Sequence, residues 1–287
     1  MNKNIMKTFV FMAALGGLFV VVGGSLGGQT GMIIALLFAV VMNMGTYWFS
    51  DKLVVKMTRS KPVTEQEAPW LYRIVGSLAE RAQMPMPRLY VMPSSQPNAF
   101  ATGRSPERAV VAVTEGILNV LSERELEGVL AHELAHVRNR DILIGAVAAT
   151  VAAAITMLAR LAMWASILGG GGRDREDNSP FGAVGMLLSF ILAPIAAMMI
   201  QMAVSRSRES QADRSGAELL GDATPLAQAL IKIEAAAKAV PPMNVNPAVS
   251  HVFLQSPFRG QSMTKLFMSH PPLEERIAQL REMGAQV

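Results

Sequence analysis

Two of the four histidines in this 287-residue chain stand four residues apart, with a glutamate directly after the first: His132-Glu133-Leu134-Ala135-His136. On a helix, positions i and i+4 share one face. Two imidazoles placed this way can hold one Zn²⁺ ion. The Glu133 carboxylate then lies within reach of a water that the ion acidifies, and can take its proton as general base. That is hydrolytic chemistry. The chain has no cysteine, which excludes a thiol nucleophile, a disulfide framework and a thiolate metal site. Only His251 and His270 remain as further imidazoles.

A catalytic zinc takes three protein ligands and keeps a fourth position open, whereas a structural zinc is closed by four. The extended pattern that supplies a third histidine six residues on fails here, because Ile142 occupies that position and Asn139 the intervening glycine position. The stretch Arg208-Glu209-Ser210-Gln211-Ala212-Asp213 offers two carboxylates at i and i+4. Glu209 could bind the ion, and Asp213 could accept the N–H of a ligating histidine and so orient it. His251 and His270 compete for the third position. Asp141, just past the two-histidine helix, reads either as an orienter or as an interfacial charge.

The elements that carry these groups are readable from periodicity and caps. Ser122-x-x-Glu125 is a capping box that opens a helix running to Val137, and Thr64-x-x-Glu67 opens another over 64–83. Arg88–Met92, Asn98–Gly103 and Ala109–Thr114 read as three short strands. Residues 225–240 form an amphipathic helix, 241–261 is loop-rich, and Ser269-His270-Pro271-Pro272 starts a last helix with proline in its first turn. Strands and helices in this arrangement predict an α+β fold with a small sheet.

The remainder is too apolar for an ordinary soluble chain. Charged residues are 17% and apolar residues 51%, with a mean hydropathy of +0.31. No charge occurs from Thr8 to Ser50, a run long enough for two bilayer spans of about 20 residues each. Residues 23–30 are glycine-rich and polar, so 8–50 is expected to be a transmembrane hairpin of two helices. No Ala-x-Ala site suggests a cleaved leader. Two further apolar runs within 142–205, the first interrupted by Arg160, are expected to form a second pair of spans around the short polar loop 170–180. Lysines and arginines flank the four runs on one side, which predicts that both termini and the domain built from 51–141 and 206–287 are cytoplasmic. The net charge of +4 fits loop orientation better than nucleic-acid binding, and no phosphate-binding Gly-x-x-x-x-Gly-Lys loop predicts a nucleotide.

In these residues the chain resembles the HtpX membrane proteases of the M48 metallopeptidase family. The likeness covers nearly the whole chain: the membrane hairpin, Asn98-Ala-Phe-Ala-Thr-Gly103, the His132–His136 motif leading into a span, Glu209-x-x-Ala-Asp213 and Leu266-Phe-Met-Ser-His-Pro-Pro272. The resemblance implies a zincin-like α+β peptidase domain combined with about four transmembrane helices, one Zn²⁺ held by His132, His136 and Glu209, and Glu133 as base. It implies that Asn98, Ala99, Phe100 and Ala101 form an edge strand that holds an extended peptide, and that His270 stabilises the oxyanion. Asp213 is expected beside a ligand. The implied role is quality control of damaged membrane proteins during stress, in a bacterial inner membrane. Substrates would be proteins with unfolded or cytoplasmic segments near the bilayer, and nucleic acid and nucleotide would not be partners. The competing hypotheses are a non-catalytic membrane scaffold with a structural zinc, and a transporter with Arg160 in its pathway.

Overall fold

The computed structural model describes residues 3–141, 208–243, 245, 253–254 and 271–287. The expectations for 142–205, including Arg160 and loop 170–180, and for His251 and His270 therefore lie outside the described residues.

The first helical element, α1 (Lys3–Met57), doubles back on itself. Gly28 takes a left-handed φ of 57°, which glycine adopts without a Cβ penalty. Phe19 and Phe38 meet edge to face at 5.3 Å between ring centroids. In an unbroken helix those two positions would be about 28 Å apart. The reversal thus falls inside the glycine-rich stretch 23–30. Beyond it, one face is bare of protein: Ile34 is 63%, Val41 68% and Phe49 58% exposed. Among the described residues no helix is long and apolar enough to cross a membrane.

Four strands form one sheet in the order β1-β2-β4-β3: β1 (Lys61–Pro62), β2 (Arg88–Met92), β3 (Ala99–Thr102) and β4 (Val110–Thr114). β2 runs parallel to β4, and both outer pairs are antiparallel. The two-residue β1 was not expected from the sequence. Alternation along the strands splits the side chains between two cores. Leu89, Ala99, Ala101, Val111 and Val113 face the helices, and Met92, Phe100 and Ala112 face Val54 of α1 together with Met243, Val245 and Phe253.

One helix starts later than its sequence suggests. The expected 64–83 helix is α2 (Pro69–Arg81). The Thr64–Glu67 bonds form, at 2.8 Å from both Thr64 N and Oγ1, but they close an isolated turn. Pro69 disfavours helical backbone in the residue before it, and Ala68 sits at φ −140°, ψ 64°. After the short α3 (Glu115–Val120) comes α4 (Glu123–Asn139), the two-histidine helix. Its capping box is complete: Ser122 Oγ accepts from Glu125 N and the Glu125 carboxylate accepts from Ser122 N. A helical stretch at 208–220, here α5, precedes α6 (Thr224–Ala239) and α7 (Leu273–Glu282). Pro272 stands at the cap of α7, one step before its first turn.

α4 is the central helix. Val129, Leu130 and Leu134 sit in one core with Ala99 and Ala101 of β3 on one side and Leu226, Ala227 and Leu230 of α6 on the other. Two glycines set the spacing. A Cβ on Gly128 would come within 2.5 Å of Leu226 N, and one on Gly216 of α5 within 2.9 Å of His132 N. Neither helix could approach α4 this closely with a larger residue.

Candidate metal centre

The site is built from two helix faces. On α4, His132 and His136 lie one turn apart and their Nε2 atoms converge to 3.2 Å. On α5, residues 209, 213 and 216 form one stripe at i, i+4 and i+7, and Gly216 lets that stripe press against α4. Glu209 reaches both imidazoles, with Oε2 3.6 Å from His132 Nε2 and Oε1 3.4 Å from His136 Nε2. Ligand atoms of His132, His136 and Glu209 all lie within 4.8 Å of one another.

Each imidazole is oriented from behind. His132 Nδ1 lies 2.8 Å from Asp213 Oδ1, and His136 Nδ1 lies 3.0 Å from Asp141 Oδ2. A proton on each Nδ1 facing a carboxylate leaves each Nε2 lone pair free to bind an ion. The Asp213 carboxylate is itself held, and the Asp141 backbone is fixed. Arg276 of α7 donates twice to Asp213, Nε to Oδ2 at 2.9 Å and Nη2 to Oδ1 at 2.6 Å. Arg208 Nη1 donates to the Asp141 carbonyl at 2.7 Å.

Asp141 reaches His136 because α4 does not run straight on. Arg140 takes a left-handed conformation, φ 59°, and caps the helix after Asn139. In a continuous helix a residue five positions on points to a different face. The helix expected to run to Val137 thus ends at Asn139, and Arg140 turns the chain so that Asp141 faces back to His136.

The donor set fits zinc. Zn–N and Zn–O bonds of about 2.0–2.1 Å in a tetrahedron set ligand–ligand edges of about 3.3–3.4 Å. The Nε2–Nε2 edge here is 3.2 Å, Glu209 brings Oε1 to 3.4 Å from His136 and Oε2 to 3.6 Å from His132, and one donor atom from each residue lies within 4.8 Å of the others. The formal charges agree: the carboxylates of Glu133, Asp141, Glu209 and Asp213 against the guanidiniums of Arg208 and Arg276 leave −2, which one divalent cation neutralises. Burial opposes protonating His136, but Glu209, with Asp141, outweighs it and pushes its pKa up to about 10. Burial likewise opposes protonating His132, yet Asp213 and Glu209 raise its pKa. The same field that draws a proton to the paired nitrogens draws a metal ion. Burial alone would raise Asp213, but Arg276 and His132 hold it well below the usual carboxylate range. Arg276 is pushed upward against its burial, chiefly by Asp213.

Five expected residues come together: His132, Glu133, Glu209 and Asp213 are buried and His136 is partly buried. Asn98 is buried at the mouth of β3, its N–H donating to Thr114 Oγ1 at 2.9 Å. Ala99, Phe100 and Ala101 form the edge strand, but Phe100 points to the far core. Because Asn98 pairs inward with Thr114, the N–H and C=O of Ala99 point to the outer edge. Both are engaged by this chain: Asn98 Oδ1 accepts from Ala99 N at 3.1 Å, and the Ala99 carbonyl accepts from Leu254 N at 3.0 Å. Two residues of the site, Arg208 and Arg276, were not found from the sequence. The signal for Arg276 was its place on the apolar stripe Leu273, Arg276, Ile277, Leu280, where a cation needs a buried partner.

A small mixed sheet over a two-histidine helix, with a carboxylate from a later helix beside both imidazoles, is the framework of a metallopeptidase. Residues 65–284 match the profile of Peptidase family M48. The chain is 53% identical to the "Protease HtpX homolog" of Persephonella marina, over 99% of each chain. It is 52% identical to the protein of the same description from Thermococcus sibiricus, over 97% of this chain and 96% of that one. The solved structure of S. mikatae Ste24p shares the fold, with a TM-score of 0.57 and 22% identity over 96% of this chain and 65% of that one. The chain belongs to peptidase family M48 and is a metalloprotease of the HtpX type.

Proposed function

We propose that this protein is an integral-membrane zinc endopeptidase that cleaves misfolded or damaged membrane proteins at the cytoplasmic surface of a bacterial inner membrane. The observation that carries the zinc reading is the convergence of His132, His136 and Glu209, whose donor atoms lie within 4.8 Å of one another, with a carboxylate behind each imidazole. Zinc bound there supplies a Lewis acid that polarises a peptide carbonyl and acidifies water. Glu133, next to His132 on α4 and buried, takes the proton of the attacking water and passes it to the leaving amine. Asp213 and Asp141 hold the two imidazoles in the ligating tautomer. His270 steadies the oxyanion, and the β3 edge at Asn98–Ala101 aligns an extended substrate by backbone pairing.

The membrane reading is supported by the bare apolar face of α1, where Ile34, Val41 and Phe49 are each more than half exposed. In it, 8–50 and 142–205 each supply two spans, and 51–141 with 206–287 form the cytoplasmic peptidase. A centre that close to the bilayer favours substrates with unfolded cytoplasmic segments.

The test compares detergent-purified wild type with Glu133→Ala for zinc content and for cleavage of an unfolded casein-like substrate, with and without chelator. About one zinc per chain in both proteins, with chelator-sensitive cleavage in wild type alone, is the expected result. Cleavage retained by Glu133→Ala would remove it as the base. Zinc in both without cleavage in either would point to the structural-zinc scaffold.

A further inference from the structure

Where α1 ends, a cleft opens that the peptidase chemistry does not use. It encloses about 290 Å³ and is lined by Lys52, Lys56, Arg59, Arg88, Asp51 and Tyr90, among others. Four cations face it against one carboxylate. Asp51 is engaged by Arg88, Oδ2 to Nη2 at 2.6 Å, so the lysines and Arg59 have no acidic lining residue left to them. Lys52 and Lys56 stand at i and i+4 on α1 and are both exposed.

A helix C-terminus ordinarily offers carbonyl oxygens and a partial negative charge, which would repel an anion. Here two of those oxygens, on Val55 and Lys56, are capped. Ser60 N donates to the Val55 carbonyl at 3.1 Å, Arg59 N to Lys56 at 3.3 Å, and Thr58 Oγ1 to Val54 at 2.9 Å. The first two bonds make a Schellman motif whose left-handed position is held by Arg59, φ 55°. Glycine fits that position without strain, so an arginine there puts a cation at the cleft against a backbone cost.

Position gives the cleft its ligand. Directly before it along α1, Trp48 and Phe49 end the bare apolar face, both more than half exposed, and Lys52 lies 5.9 Å over the Phe49 ring. Aromatic side chains followed by a lysine–arginine cluster mark the level of a bilayer interface, and basic pockets at that level bind anionic headgroups. We propose that this cleft binds a phosphate monoanion or diester, supplied by the headgroup of an anionic phospholipid that seats the peptidase domain against the bilayer. The proposal rests on the membrane reading above.

The test uses the full chain reconstituted into phosphatidylcholine nanodiscs containing 0 or 20% phosphatidylglycerol, and the double variant Lys52→Ser/Lys56→Ser, neither residue belonging to the metal centre. Thermal unfolding and binding of a fluorescent short-chain phosphatidylglycerol are followed, with inorganic phosphate as competitor. Wild type is expected to be stabilised by phosphatidylglycerol and to bind the probe about fivefold more tightly for each lysine retained, while millimolar phosphate competes weakly. Equal probe binding by wild type and the double variant, with both incorporated into nanodiscs, would overturn the site and leave the membrane reading standing. Failure of both proteins to enter phosphatidylcholine nanodiscs would overturn the membrane reading and the lipid source with it. Strong, lysine-dependent displacement by inorganic phosphate would keep the anion site and overturn its lipid source.

Discussion

Gly216 lies against the backbone of His132: a Cβ at position 216 would stand 2.9 Å from His132 N and 3.0 Å from its Cα. The neighbours are main-chain atoms of a packed helix and cannot yield as a side-chain tip would. Gly216→Ala must therefore push α5 off α4, and Glu209 and Asp213 move with it. Alanine gains about 1 kcal/mol of helix propensity over glycine, but overpacking costs about 1–3 kcal/mol. The expected outcome is a lower melting temperature and zinc affinity reduced by about tenfold or more. Gly76→Ala in α2 is the control. A Cβ there meets nothing within 4 Å, so this variant is expected to be more stable by up to about 1 kcal/mol with unchanged zinc affinity. Calorimetry and a chelator competition read both quantities.

Arg276 joins α7 to the metal centre through Asp213, without touching the ion site itself. Both partners are buried, so Arg276→Gln leaves a carboxylate without its counter-charge. Breaking one side of a buried pair costs about 3–5 kcal/mol. Arg276→Lys keeps the charge but not the two-pronged geometry and is expected to recover only part of that loss. Zinc affinity in both should fall by about 10–100-fold, because His132 loses its fixed orientation. Unchanged zinc affinity in a folded Arg276→Gln protein would show that Asp213 orients His132 without help from α7.

What the sequence disclosed follows from the range of each interaction. The histidine pair His132/His136, the carboxylate stripe of Glu209 and Asp213, the strands and the Ser122 cap all depend on spacing within one element, and spacing is visible. The start of α2 was misplaced because the Thr64 capping signal is local and strong, while the veto by Pro69 acts on Ala68 alone. Arg276 and Leu254 were missed because their partners, Asp213 and Ala99, are 63 and 155 positions away, and no periodicity connects them. Asp141 is ambiguous in the sequence because its reach to His136 depends on one left-handed residue, Arg140, of a type that rarely adopts that conformation.

The N-terminal cap of α4 makes stability depend on acid in a defined direction. Burial would raise the Glu125 carboxyl, but Lys232 and the Ser122 backbone and hydroxyl outweigh it and hold its pKa below the ordinary 4.5. A carboxyl with a lowered folded value stabilises fully above its unfolded pKa and loses that contribution as pH falls through the folded one. Glutamine keeps the capping hydrogen bond but not the charge, so Glu125→Gln is expected to cost under about 1 kcal/mol at pH 7, Lys232 being half exposed. The gap between the two proteins should close as pH drops below 4.5. Denaturant titrations at several pH values measure it, and a gap that stays constant would assign the effect to packing.

The outer edge of β3 is where a substrate backbone is proposed to pair, and at Ala99 that edge is already engaged. Leu254 N donates to the Ala99 carbonyl at 3.0 Å, and the adjoining Phe253 is buried edge to face on Phe100 at 5.3 Å. An extended peptide bonding to Ala99 has to displace Leu254 first, which raises the apparent KM by the strength of that bond. Leu254→Pro removes the donor, and with it a side chain buried in the helix-side core, while Phe253 stays anchored on Phe100. With a net hydrogen bond worth about 1 kcal/mol, KM for an unfolded substrate is expected to fall by about fivefold with kcat nearly unchanged. Phe253→Leu weakens the anchor and should move KM in the same direction by less. A fall in kcat at constant KM would place Leu254 in support of the metal centre, and an unchanged KM in a fully zinc-loaded Leu254→Pro protein would move the substrate off the β3 edge altogether.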